Sequence, residues 1–172
     1  MSRSNYHIDI VDQQQGLAID FDRVRAVIER VLEEERIPSA EISVALVDDA
    51  AIHRLNREFL GHDYPTDVIS FRLSAEHSPS PDSGLRAELP DTPLLPNTDH
   101  LEAELVISTE TALRESSGHG WPADDELLLY VVHGTLHLCG YDDLTDAARP
   151  IMRDRERHYL ARWLLVPTGL EA

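Results

Sequence analysis

The stretch HGTLHLCGYDD, His133 to Asp143, sets two imidazoles four residues apart and follows them with a glycine and paired aspartates. On a helix, residues four apart lie within roughly 40° of each other around the axis, with Cβ atoms about 6 Å apart. Both imidazoles then project from one face and two ring nitrogens can reach one ion at about 2.0–2.1 Å. Gly140 can take the left-handed conformation that ends a helix and turns the chain back. Asp143 then follows where its carboxylate can meet the same ion. Two imidazoles and one carboxylate suit zinc and leave a fourth position for water, as catalytic rather than structural sites do. The expected metal ligands are His133, His137 and Asp143, holding one Zn2+ per chain. Two ordinary helix histidines ahead of a helix stop would share the spacing, but not the third ligand. Cys139 falls on the helix face opposite His137 and reads as core. Asp142 reads as a turn residue or an acceptor for an imidazole N–H.

These groups need a scaffold. YHIDIV alternates apolar and polar residues as a strand does. Asp20 caps a helix with Phe21, Val24, Val27, Ile28, Val31 and Leu32 on one stripe, ending before Pro38. EISVALV is a second strand, and DDAAIHRLNREFL a second helix with Ile52, Leu55 and Phe59 inward. TDVISFRL is a third strand, introduced by the turn-forming GHDYPT. Residues 74–100 hold five of the ten prolines and predict an exposed, mobile insertion, after which ELVIS resumes as a strand. TETALRESSG makes a short helix. PADDELLLYVVHGTLHLCG makes a longer one, acidic in its first turn and stopped at Gly140. A last helix runs from about Ala148 to about Leu165. The order β-α-β-α-β-β-α-α-α predicts a mixed sheet with helices packed on it.

A chain of 172 residues fits one domain spanning 1–172, interrupted by that insertion. The start lacks an apolar leader and no run is long enough to cross a bilayer. A lone cysteine excludes an internal disulfide framework. The chain is thus expected to be soluble and cytoplasmic, with neither membrane nor DNA as partner. Its formal net charge is −17 and all fifteen of its basic residues are arginine. Such a chain repels nucleic acid at long range, because nonspecific affinity comes from cations that neutralise phosphates.

Two segments nevertheless point to RNA. HGTLHLCGYDD resembles the HGxLHLxGYDH signature of the YbeY family of metal-dependent endoribonucleases. Upstream, LNREFLGHDYPTDVISF (Leu55–Phe71) is similar to that family's LNxxYRxxDxPTDVLSF. AELVIST resembles its GDIxIs strand, and DDELLLYVVHG the acidic, leucine-rich run before its first histidine. The resemblance implies a zincin-like α+β domain: a mixed four-stranded sheet with packed helices, and the metal on a helix and the turn after it. It implies a zinc-dependent endoribonuclease specific for single strands. Such an enzyme acts in ribosomal RNA maturation, including the 3′ end of the small-subunit RNA, and in ribosome quality control. Its partners would be ribosomal RNA or a pre-ribosomal particle, with a small-subunit ribosomal protein or an assembly GTPase. Thr66 and Asp67 match the family's cleft-lining PTD and are candidates for positioning water or substrate, although a turn cap at a strand head would look the same.

Three positions depart from the family pattern. Asp143 stands where most members have histidine, and a carboxylate can replace imidazole on zinc. Leu60 replaces an arginine thought to act at the phosphate, which leaves transition-state charge without an expected partner. Ala103-Glu104 replaces Gly-Asp. His62 could stand in as a cation near phosphate, but reads first as an exposed loop histidine. Arg149, Arg153 and Arg157 follow one border of the last helix, with Arg155 and Arg162 on the other side; packing and ion pairing account for them better than phosphate contact does. Two other functions compete. The spacing H-x3-H-x2-G-x2-D also resembles metzincin proteases, but Gly134 occupies the place of their general-base glutamate. A noncatalytic metal-binding ribosome-assembly factor would fit the loss of the arginine at Leu60.

Overall fold

The computed structural model describes residues 5–77, 98–163 and 165. The elements are β1 (Tyr6–Asp12), α1 (Phe21–Glu34), β2 (Ala40–Val47), α2 (Asp49–Leu55), β3 (Val68–His77), β4 (Thr98–Ser108), α3 (Thr109–His119), α4 (Ala123–Leu138) and α5 (Ala148–Ala161). The four strands form one mixed sheet in the order β1-β2-β4-β3. β1, β2 and β4 run parallel and β3 is antiparallel to β4. This is the α+β architecture the element order predicts.

Strand alternation divides the side chains between two faces. Ile42, Val44 and Leu46 of β2 and Leu101, Leu105 and Ile107 of β4 join the main core with α1, α4 and α5. Val47, Ile69 and Val106 face the other way and are covered by Ile52 of α2. α4 lies at the centre of the main core. From Glu126 to Cys139 every residue is buried except His133 and His137. Beyond its acidic first turn, this apolar helix presents two residues to solvent, and both are imidazoles.

α4 rests on the sheet at a close approach. A Cβ added at Gly134 would lie 2.9 Å from side-chain carbons of both Leu105 and Val68 and 3.1 Å from Ser70 Oγ, while Ser70 Oγ donates to Gly134 O at 2.9 Å. Overpacking of this kind costs about 1–3 kcal/mol, against at most about 1 kcal/mol of helix propensity gained. Gly134→Ala is therefore expected to be net destabilising and to lower the urea midpoint; a raised midpoint would show that α4 can lift from the sheet. The same contact bears on the protease alternative. Position 134 packs against the sheet, so the general-base glutamate of the proteases would there displace Leu105, Val68 and Ser70.

The structure corrects the sequence expectations at four places. The second helix does not continue through Leu60: α2 ends at Leu55 and passes into a π-helical turn, Asn56–Leu60. The wider turn shifts the helical phase, so Asn56 is buried and donates its amide to Tyr64 O at 2.8 Å. Phe59, expected inward, is 59% exposed and meets Phe71 edge-on with centroids 5.6 Å apart. The insertion is shorter than 74–100, because β3 extends to His77 and β4 begins at Thr98. The remainder of it, 78–97, lies outside the described residues, and with it the expectation of mobility. Finally, α5 stops at Ala161 rather than near Leu165, closing in a tight turn in which Trp163 N and Leu165 N both donate to Leu160 O.

Candidate metal centre

α4 ends in a full Schellman motif. Gly140 has φ +100°, its N–H donates to His137 O at 3.0 Å, and Tyr141 N donates to Leu136 O at 3.1 Å. This reversal carries Asp143 back over the helix end. His133 Nε2 and His137 Nε2 lie 3.0 Å apart, and the Asp143 carboxylate oxygens lie 3.5 Å from each of them. Donors about 2.0–2.1 Å from one tetrahedral ion sit about 3.3 Å from each other. The triangle matches.

The outer partners of the two rings test whether the donor set fits a metal. His133 Nδ1 meets Glu156 Oε1 at 2.5 Å and His137 Nδ1 meets Tyr141 O at 3.0 Å. Carboxylate and carbonyl oxygens only accept, so both Nδ1 atoms carry the proton and both Nε2 atoms carry lone pairs. Two lone pairs facing each other at this distance repel unless a proton or a cation lies between them. Burial depresses the His133 pKa, but the Glu156 hydrogen bond and charge outweigh it and raise the pKa. Burial and the neighbouring His133 push that of His137 down. The two rings and Asp143 together could hold one divalent ion, which would relieve that repulsion. Among the described residues, His133, His137 and Asp143 are the group of three able to hold a metal ion. Asp142, by contrast, accepts from Leu144 N at 2.6 Å and serves the turn.

The triangle opens onto a cleft of about 490 Å³ whose lining includes Thr66, Asp67, Tyr130, His133, Asp143 and Glu156. Asp67 Oδ1 accepts from Val68 N at 2.7 Å and from Thr66 Oγ1 at 3.2 Å. It is therefore a strand-head cap as well as a cleft residue. A network behind it fixes this wall. Asp49 accepts from Ser108 Oγ at 2.6 Å, Thr111 Oγ1 at 2.8 Å and Arg114 Nη1 at 2.8 Å. Burial alone would raise its pKa, but these three donors hold the carboxyl below its ordinary value. His62 is not part of the cleft lining.

The arginines divide. Arg155 is structural, bound to buried Glu35 and packed over the rings of Tyr141 and Tyr159. Arg157 pairs with Asp154, and Arg162 with Glu34. Arg114, Arg149 and Arg153 line the cleft. Arg114 is engaged by Asp49 and Arg149 by Asp146. Arg153 makes no ion pair among the described residues. Packing or ion pairing thus accounts for four of the last helix's five arginines, Arg149, Arg155, Arg157 and Arg162, and leaves Arg153 as an uncommitted cation in the cleft that His133 and Asp143 also line.

The family model described as Endoribonuclease YbeY matches residues 9–164. This chain belongs to the YbeY family. It is 42% identical over 123 residues to Endoribonuclease YbeY of Desulfitobacterium hafniense, covering 72% of this chain and 71% of the relative. To that of Salinibacter ruber it is 35% identical over 151 residues, 88% of each chain. Among solved structures it is similar to the solution structure of TM1509 from Thermotoga maritima, with a TM-score of 0.51, 25% identity and 91% of each chain covered. Within the YbeY pattern, the aspartate at 143 keeps its place in the donor triangle. Leu60 is half exposed and absent from the cleft lining. No cation reaches the cleft from that turn.

Three contributors to the site were not anticipated from sequence. Glu156, which orients His133, lies 23 residues downstream and becomes a neighbour only when α5 docks. Its signal was a charge inside an apolar stripe, between Met152 and Leu160. Arg114 had no distinguishing pattern. Glu126, buried among the leucines of α4, accepts from His119 Nδ1 and Trp121 Nε1, each at 2.6 Å, and this too was a charge in an apolar run. Among the described residues no helix is long and apolar enough to cross a membrane.

Proposed function

We propose that the chain, taken as one domain over 1–172, is a zinc-dependent endoribonuclease that cuts single-stranded RNA. Its place would be in cytoplasmic ribosomal RNA maturation, including the small-subunit 3′ end, and in ribosome quality control. The observation that carries this is the Nε2–Nε2–carboxylate triangle at the wall of an open cleft. A divalent ion held there would supply a Lewis acid in a cleft where Arg114 and Arg149 are already paired with carboxylates. Glu156 and Tyr141 O fix the rings so that both Nε2 atoms aim at one point. Asp67 presents Oδ2, which has no hydrogen bond among the described residues, as an acceptor for a proton from water or a ribose hydroxyl. Thr66 holds that carboxylate through Oδ1. Arg153 supplies a cation for a phosphate.

With a net charge of −17, free RNA is repelled at long range. Productive encounter is therefore expected on a pre-ribosomal particle, where a small-subunit ribosomal protein or an assembly GTPase supplies the docking contact. Loss of one phosphate contact should weaken binding evenly across sequences. Arg153→Ala is expected to reduce the slope of log affinity against log salt by about 0.7 for single-stranded RNA. An unchanged slope would remove Arg153 from the interface.

The test of the function is cleavage of single-stranded and hairpin RNA by metal-loaded protein, with and without chelator, alongside an unstructured peptide. Metal-dependent cutting confined to unpaired RNA is expected. Peptide cleavage without RNA cleavage would overturn it. One observation favours the noncatalytic alternative: Leu60 places no arginine in the cleft. A noncatalytic factor would bind pre-ribosomal particles equally well after His133→Ala and leave RNA intact.

A further inference from the structure

We infer that His62 and Tyr64 form a stacking platform for an unpaired nucleobase of the strand entering the cleft, an inference that rests on the RNA-cutting function proposed above. The two rings lie nearly parallel, at 8°, with centroids 5.4 Å apart. Both are exposed, Tyr64 by 54%. An aromatic pair left this open contributes little apolar burial to the fold.

The pair is nonetheless held in place. Buried Asn56 donates its amide to Tyr64 O at 2.8 Å and accepts His62 N on its own carbonyl at 3.2 Å. Between these two residues in sequence, Asp63 Oδ1 meets His53 Nε2 at 2.9 Å. The segment is thus tied at 62, 63 and 64 to the end of α2 and the π-helical turn. A flat face fixed before the ligand arrives loses little entropy on binding.

Its location names the ligand. Tyr64 is followed directly by Pro65, Thr66 and Asp67, all three of which line the cleft that also contains His133 and Asp143. Tyr64 is at most about 11 Å of extended chain from Asp67. Neither ring is in the cleft lining itself, so the base they take would lie beside the cleft and not at the metal. Charge narrows the choice further. Most affinity for single-stranded nucleic acid comes from cations along the backbone and from rings beneath the bases. This chain has an excess of acid and has Leu60 in the turn ahead of the pair. Stacking requires no positive charge and works for every base.

Cleavage kinetics on short single-stranded RNAs, each carrying one abasic nucleotide at a different position, test the platform. For the unaltered chain, one abasic position is expected to raise KM about five- to tenfold. Tyr64→Ala should raise KM on intact RNA by a similar factor, with kcat moving less, and should then be insensitive to the abasic position. Tyr64→Phe, which retains the ring, should restore that sensitivity. A ring that merely stiffens the segment would give effects of Tyr64→Ala and of the abasic site that multiply; that result, or no effect of Tyr64→Ala, overturns the platform while RNA cleavage stands. If the unaltered chain neither binds nor cuts any of these RNAs, the proposed function falls, and the platform with it.

Discussion

Replacing His133 or His137 by alanine is expected to abolish metal retention and to lower RNA cleavage roughly a thousandfold or more, since Lewis-acid assistance contributes several kcal/mol to the barrier. Both rings are at the solvent-facing side of α4, with 22% and 30% of their side chains exposed. Thermal stability without metal should consequently change little for His137→Ala. That separation of activity from folding distinguishes a metal centre from two core histidines, whose removal would open cavities. His133→Ala also strands the Glu156 carboxylate, which is buried, so the apoprotein effect should be larger at 133 than at 137. Asp143→Ala should weaken metal binding, while Asp143→His, which supplies the third imidazole usual in the family, should keep it. If Asp143→Ala retains metal as tightly as the unaltered chain, the third ligand has been misplaced.

Glu35→Ala is expected to be the most damaging change outside the metal ligands. Glu35 is 4% exposed and accepts from Tyr159 Oη at 2.6 Å, from Tyr141 Oη at 3.0 Å and from Arg155. It joins the end of α1 to α5 and to the turn that carries Asp143. Breaking a buried charged pair costs about 3–5 kcal/mol. Arg155 keeps about a third of its side chain in water, so rehydration moves the expected loss to the lower end, about 3 kcal/mol. For a chain of this size that is a fall of roughly 6–12 °C in Tm. The damage should extend to the metal, because Tyr141 O also accepts the His137 Nδ1 proton; affinity is expected to fall about 10–100-fold. Glu35→Gln retains acceptor capacity and should lose less of both. Calorimetry with and without zinc measures the two effects. An unchanged Tm would mean that the network is solvated and contributes nothing.

What was legible in the sequence follows from the range over which each feature is determined. The three members of the donor triangle fall within eleven residues, His133 to Asp143, set by helical spacing and a glycine stop, so their identity needed no tertiary information. The element order was equally readable, because alternation in β2 and the stripe of α1 are local patterns. Phe59 was misplaced because a 100° period was continued through a turn that widens, and nothing in NREFL announces a π-helical turn. The ends of β3 and β4 were lost because prolines between them masked the strand pairing on either side, where Glu76 faces His100 and His77 faces Thr98. Glu156 and Glu35 reach their partners only after helices dock, while Glu126 meets His119 and Trp121 from the end of α3 and the turn just ahead of α4. Their common trace was an acid set in an apolar face, a signal readable as exposure unless the cost of burying an unpaired carboxylate is weighed.

The most direct measurement is RNA cleavage as a function of metal occupancy, with bound metal counted on the same samples by native mass spectrometry. We expect the chain to hold one divalent ion, and cleavage of single-stranded RNA to rise in proportion to occupancy, reach its maximum at one ion per chain, and vanish with chelation. Metal-free chain that cuts RNA at the full rate, or chain that takes up no ion from added zinc, would contradict the assignment of His133, His137 and Asp143 as a catalytic metal centre.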